Sequence, residues 1–303
     1  MTAALVIGFG SIGQRHARLL DGLGCRVAVL SRRPVSGFTA YSDLATALAG
    51  HDPDYVVVAN ETSAHRASLA ALAELDFGGK VLVEKPLGRQ PGTLPVLPFT
   101  AAVAYNLRFH PVLAALHQAL AGQSVISCQA YCGQYLPDWR PGTDYRQCYS
   151  ADPAQGGGVL RDLSHEIDLL LWLFGGCSRL TALGGHLSPL EIASDDCWGM
   201  LMELQHCPVA TLHINYLDRP GRRDIVVNTA TDTFRADLSR GMLVRNGEET
   251  ALPCGRDDTY LAQHRAMLEG SMNQLCSLEQ AEAAMRLIAA AERAAQAGEW
   301  VRP

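Results

Sequence analysis

Lysine is nearly missing from this chain. Of its 25 basic residues only Lys80 and Lys85 are lysines, and the remainder are arginines. Guanidinium, with a pKa above about 12, stays charged, so a site that needs a basic group able to exchange a proton has few candidates beyond these two lysines and the histidines. An excess of positive charge is also lacking. The 25 Lys+Arg against 31 Asp+Glu leave a formal charge of −6, which offers no general attraction to nucleic-acid phosphates or anionic lipid. No run approaches the ~18 consecutive apolar residues of a membrane-spanning helix. The first apolar run, Ala3 to Phe9, is short and has no basic leader before it. The nine cysteines contain no CxxC pair and the ten histidines no HExxH spacing, so neither a disulfide framework nor a metal site is expected. These absences point to a cytoplasmic protein acting on small molecules, with neither nucleic acid nor membrane as a partner.

What is present suits ordinary globular domains. The 303 residues are 48% hydrophobic and 18% charged, enough for two domains with their own cores. Ala3 to Gly8 is a short apolar, β-prone run. It leads into Gly8-Phe9-Gly10-Ser11-Ile12-Gly13 and then into Gln14 to Leu20, which has helical spacing. In a strand–loop–helix of this kind the first two glycines allow a tight turn and the approach of a pyrophosphate to backbone N–H groups. The third lets helix and strand pack closely.

A second strand, Cys25 to Leu30, ends in Ser31-Arg32-Arg33, where a dinucleotide site for NAD places an acidic residue on the adenosine ribose. A hydroxyl and two guanidinium groups there predict NADP over NAD; the other reading is a solvated loop. Alternation continues with a helix over Ser42 to Ala49, a strand over Tyr55 to Ala59, a helix over Ser63 to Leu75, and strands over Lys80 to Glu84 and Thr100 to Ala104. This implies a doubly wound parallel sheet. Ligands of such sheets lie beyond the carboxyl ends of the strands, which brings Asn60-Glu61-Thr62, with His65 close behind, Glu84-Lys85 and Asn106 into the candidate cofactor edge.

Four ordered motifs now resemble one family: the GxGxxG run, Glu84-Lys85-Pro86-Leu87, Tyr105-Asn106-Leu107-Arg108-Phe109-His110-Pro111, and Gly156 to Asp168 with Asp162, His165 and Asp168 at its end. The chain is similar to the glucose-fructose oxidoreductase, inositol dehydrogenase and rhizopine-catabolism group, Gfo/Idh/MocA. The resemblance implies a Rossmann domain, 1–110, and a C-terminal α+β domain, 111–303, with an open, mainly antiparallel sheet. Strands over Val125 to Gly133, Cys197 to Leu204, Val209 to Asn215, Asp224 to Thr229 and Thr233 to Leu238 agree with it, as does a final amphipathic helix, Leu278 to Ala297, packing back on the body.

The resemblance assigns Lys85 to the nicotinamide side, contacting the hydroxyl being oxidised. It suggests His165 as proton acceptor, with Asp162 as a nearby catalytic or substrate contact. The chemistry is sensible, since an imidazole with a pKa near 6.5 suits general-base work at neutral pH. The family more often sets this histidine four positions after the aspartate, where His165 stands three positions after Asp162, and a helix N-cap is the other reading of Asp162. An unbroken helix from Asp162 puts it on one face with His165 and Asp168.

Arg108 and the aromatic, arginine-rich loop with Tyr135, Trp139, Arg140 and Tyr145 are candidate substrate contacts. Aromatic rings stack on sugars and guanidinium binds acids. The other reading of that loop is an ordered connection. The expected activity is hydride transfer at a secondary alcohol of a sugar, acidic sugar or nucleotide sugar. A nucleotide-dependent sensor and an imine or enone reductase are the alternatives. The family's habit of pairing through the open sheet implies a homodimer or homotetramer.

Overall fold

The computed structural model describes residues 1–93, 96–139 and 142–303. Arg140, one of the candidate substrate contacts, lies outside the described residues. The chain divides into two compact units: Met1–Asn106 with Asp257–Ala281, and Leu107–Arg256 with Glu282–Pro303.

In the first unit β1 (Ala3–Ile7) is buried along its whole length, as a strand covered on both faces must be. It feeds α1 (Ser11–Gly22), whose buried residues Gly13, His16, Ala17, Leu19 and Leu20 form the stripe that meets the sheet. β2 (Arg26–Leu30) and β3 (Thr39–Tyr41) follow. Next comes α2 (Leu44–His51), capped by the Asp43 carboxylate, which accepts from Thr46 N–H. β4 (Tyr55–Val58), α3 (His65–Glu74), β5 (Lys80–Val83) and β6 (Thr100–Val103) complete the alternation. These strands are parallel and ordered β6-β5-β4-β1-β2-β3, so the winding direction reverses between β1 and β4.

The second unit opens with α4 (Pro111–Leu120), which has proline in its first turn. β7 (Val125–Gly133) leads to two helices, α5 (Val159–Asp162) and α6 (Ser164–Phe174). β8 (Cys177–Gly185), β9 (Cys197–Leu204), β10 (Cys207–Asn215), β11 (Arg222–Thr229), β12 (Thr233–Asp237), β13 (Met242–Arg245) and β14 (Glu248–Ala251) then build the second sheet. Its order is β14-β13-β12-β11-β7-β10-β9-β8, antiparallel except for the β7–β10 pair. The strands alternate buried and exposed residues. Cys128, Met200, Leu212 and Val227 face the core, and Gln129, Leu201, Thr211 and Val226 point outward.

The chain then returns to the first unit. α7 (Asp258–Glu269) packs on α1 and β5, and β15 (Cys276–Ser277) adds an antiparallel strand beside β6. α8 (Leu278–Ala297) belongs to the second unit from Glu282 onward and buries Ala284, Met285, Ile288 and Ala291 at helical spacing. This return departs from the sequence reading, which places everything after residue 110 in the second domain. Long-range packing of α7 against α1 decides the matter, and no local signal in residues 257–281 announces it. Among the described residues no helix is long and apolar enough to cross a membrane.

Candidate functional site

The loops at the point of reversal between β1 and β4 define the candidate nucleotide site. Gly8 has φ +98°, and a Cβ there would stand 2.6 Å from Ala59 O. At Gly13 a Cβ would run into Gly8 O, so both positions require glycine for the turn and for strand–helix contact. Gly10 differs: nothing lies within 4 Å of its added Cβ, so open space faces this glycine.

Gly10 is the N-cap of α1 and supplies no side-chain cap, and no acidic residue occupies the first turn at Ser11, Ile12 or Gly13. The first N–H groups of the helix and its positive end are therefore uncompensated by side chains. An anion fits there as the missing cap. Phe9 packs edge-on against Phe38, 6.3 Å between centroids. Across the loop, Asn60 donates Nδ2–H to Ser68 Oγ while its Oδ1 is buried without a partner, a second polar group awaiting one. Glu61 is exposed and Thr62 half-buried beside it. The cradle fits a dinucleotide.

Ser31 stands past the end of β2, and its hydroxyl accepts from Arg33 N–H at 2.9 Å, a local turn contact. Arg32 and Arg33 are both exposed, and no carboxylate stands beside them in the sequence from Ser31 to Tyr41. His65 is buried and braces two loops. Its Nδ1 lies 2.9 Å from Pro86 O and its Nε2 3.2 Å from Asn60 O. Burial holds its pKa below the ordinary imidazole value.

Lys85 follows β5 by two residues, half-buried, and its peptide bond to Pro86 is cis. Two candidates for cofactor contact turn inward instead. Glu84 is 8% exposed and both its oxygens are used within the unit. Oε1 meets His16 Nε2 at 2.9 Å, and Oε2 accepts from Lys85 N–H at 3.1 Å. Asn106 is buried and donates Nδ2–H to Thr259 Oγ1 at 2.7 Å. Lys80, at the opposite end of β5, donates from Nζ to Leu268 O and so closes the last turn of α7.

The second unit holds the other candidates. Arg108, expected to touch substrate, is 1% exposed. Its guanidinium forms a fork on Asp168, with Nε–Oδ2 at 2.9 Å and Nη2–Oδ1 at 2.6 Å. A planar fork facing a carboxylate is the best geometry available to both groups, and the pair belongs to the core rather than to a binding surface.

Asp162 ends α5; the chain breaks at Leu163 before α6 begins. It therefore neither caps α6 nor shares an unbroken helix with His165 and Asp168, as the sequence suggests. Its Oδ2 accepts from Tyr216 O–H at 2.6 Å. The Tyr216 ring is met edge-on by Trp139, 5.1 Å between centroids. His165 is half-buried in the first turn of α6. Tyr135 carries the Arg219 guanidinium 4.2 Å above its ring, and Tyr145 Oη accepts from Glu191 N–H.

Sequence reasoning missed His16, His264 and Tyr216. His16 left one signal, a histidine on the apolar face of α1. His264 lies in a helix that sequence periodicity did not reveal.

These observations define a dinucleotide-binding α/β unit joined to a unit built on a mainly antiparallel sheet. Residues 3–94 match the model of an oxidoreductase family with an NAD-binding Rossmann fold, and residues 121–244 match the GFO/IDH/MocA C-terminal domain. The chain belongs to the GFO/IDH/MocA family of oxidoreductases.

Its fold is that of several solved structures. GenD2 from gentamicin A biosynthesis, in complex with NAD, is 23% identical, with TM-score 0.82 over 100% of this chain and 96% of that one. Levoglucosan dehydrogenase with NADH and levoglucosan is 16% identical, with TM-score 0.82 over 99% of each chain. The WlbA dehydrogenase from Bordetella pertussis, in complex with NADH and UDP-GlcNAcA, is 19% identical, with TM-score 0.80 over 99% and 98%. None of the curated proteins compared with the chain matches its sequence.

Proposed function

We propose that this oxidoreductase interconverts a secondary alcohol and a ketone on a sugar, acidic sugar or nucleotide sugar, using NADP(H) in preference to NAD(H). The uncapped start of α1 at Gly10, open to an anion, carries the reading. Proteins of the same fold hold NAD, or NADH together with UDP-GlcNAcA or levoglucosan. Arg32 and Arg33, in a stretch without a carboxylate from Ser31 to Tyr41, support the 2′-phosphate of NADP.

The nicotinamide, when bound, supplies the hydride acceptor or donor. In the oxidation direction Lys85 donates a hydrogen bond to the substrate oxygen as it becomes an alkoxide, and His165 takes its proton. Asp162 orients the substrate or that histidine, and Trp139, Tyr135 and Tyr145 shape the sugar side. Calorimetric titration with NADPH and NADH in parallel tests the nucleotide half. Nucleotide fluorescence with uronic acids, nucleotide sugars and anhydrosugars tests turnover. Tighter NADPH binding with turnover supports the proposal; binding with no turnover favours a sensor, and no binding of either nucleotide ends the reading.

The same proposal includes a homodimer or homotetramer paired through the outward face of the second sheet. That face carries Leu183, 77% exposed, with Leu201, Thr211 and Val226 around a shallow hollow of about 620 Å³. Apolar surface of this kind on a sheet is usually covered. Light scattering that gives only the monomer mass refutes this part.

A further inference from the structure

A row of buried polar groups crosses the interior of the first unit. Tyr55, the first residue of β4, is fully buried, and its hydroxyl lies 3.0 Å from His264 Nδ1. His264 Nε2 lies 2.9 Å from His16 Nδ1, and His16 Nε2 lies 2.9 Å from Glu84 Oε1. Both imidazoles are 0% exposed. Four buried polar side chains in series are costly to arrange unless every donor finds an acceptor, so the direction of each bond can be worked out.

Tyr55 fixes it. Among the described residues its hydroxyl proton has one acceptor within reach, His264 Nδ1, and burial pushes the phenol pKa well up, so the proton stays. His264 Nδ1 is then unprotonated. Burial also drives the His264 pKa well below the ordinary imidazole value, so this ring is neutral and carries its proton on Nε2. That proton is donated to His16 Nδ1. His16 in turn carries its own proton on Nε2 and donates it to Glu84 Oε1. The other carboxylate oxygen accepts from Lys85 N–H. The three bonds from Tyr55 to Glu84 run one way, from the start of β4 to the residue beside Lys85.

We propose that Tyr55, His264 and His16 are positioning residues for Lys85: a one-way chain of hydrogen bonds that holds the Glu84 carboxylate against the Lys85 backbone. The functional part of this rests on the reading that Lys85 touches the substrate. Glu84 is the hinge of the arrangement, since one oxygen is committed to the chain and the other to the peptide that carries Lys85. Such outer partners are what keep a reacting side chain within the narrow range of useful positions. α7 is thereby tied to the site through His264, although it enters the unit from a distant part of the sequence.

The scarcity of lysine makes the test direct. A chain labelled with ¹⁵N at lysine alone has two lysine backbone amide signals, from Lys80 and Lys85. Lys80 pairs with Tyr55 across β4 and β5, whereas Lys85 lies five residues along. In Tyr55→Phe, simple loss of packing disturbs Lys80, the near neighbour. Transmission through the chain of bonds moves the Lys85 signal more than the Lys80 signal. In parallel, long-range ¹H–¹⁵N spectra of the histidine-labelled wild-type chain at neutral pH report the tautomers without any substitution.

The expected results are Nε2–H forms for His16 and His264 and a Lys85 signal that shifts in Tyr55→Phe. An Nδ1–H or doubly protonated form of either ring overturns the proposal, as does a Lys85 signal that stays in place. NADPH and NADH titration of the same wild-type sample separates the two ideas. Absence of binding removes the role given to Lys85 and leaves the direction of the bonds to stand or fall on the spectra.

Discussion

Tyr216 donates its phenolic proton to Asp162 at 2.6 Å inside the second unit, and burial followed by the carboxylate pushes the phenol pKa well above its usual value. The donor therefore keeps its proton through any working pH. Tyr216→Phe removes that donor and little volume. It is expected to lower stability by about 1 kcal/mol or more and, on the role proposed for Asp162, to raise KM. Urea unfolding read beside steady-state kinetics checks both.

The fork between Arg108 and Asp168 sits where neither group meets water. Truncating one partner strands the other charge in the interior. Asp168→Ala should cost about 3–5 kcal/mol in denaturant unfolding, whereas a surface pair such as Arg179–Glu203 should yield about 0–1 kcal/mol when broken.

Gly10 and Gly13 separate binding from folding. Gly10→Ala places a methyl in open space, so the unfolding midpoint is expected to stay near wild type while NADPH or NADH affinity falls by about tenfold, or ~1.4 kcal/mol. Gly13→Ala drives a methyl into Gly8 O and should lower the midpoint as well. Equal effects from the two substitutions would refute the cradle at α1.

His165→Ala should reduce turnover by about 10²-fold or more, with nucleotide affinity unchanged. A near-normal rate removes His165 as proton acceptor and favours imine or enone chemistry.

Acid should destabilise the first unit in two stages. Burial holds His65 and His264 below the ordinary imidazole value of 6.5, so the unfolded chain takes up these protons first and stability is lost as pH falls from that value toward the lower ones of the folded state. Burial alone would raise the Glu84 pKa. The hydrogen bond from His16, together with the positive charges around the carboxylate, outweighs it and brings the value below the ordinary 4.5. Its contribution is present above that value and is lost as pH falls further. In unfolding measured against pH, His264→Phe should flatten the first stage and Glu84→Gln the second.

The strand–glycine–helix at residues 3–20 was legible in the sequence because its determinants are local: an apolar run, three glycines and a helical stripe. The alternating strands of the second sheet were legible for the same reason, and Val125–Gly133 and Cys197–Leu204 have the expected bounds. Contacts between distant residues were not legible. Nothing near Arg108 says that Asp168 will meet it, and nothing near Glu84 names His16 as its partner. Asp162 shows the limit most plainly. Periodicity reads one helix through it, while the structure interrupts that helix at Leu163 and turns the carboxylate to a tyrosine fifty-four positions away.

Because α7 and β15 complete the first unit only after the second sheet has been made, the ribosome delivers this chain in an order that its architecture does not follow. Until residues 257–281 emerge, β6 is an open edge and His16 lacks the ring nitrogen of His264 that it pairs with in the finished unit. A nascent chain stalled near residue 250 would therefore carry a half-built nucleotide unit, sticky at one edge, for as long as the remaining stretch takes to translate.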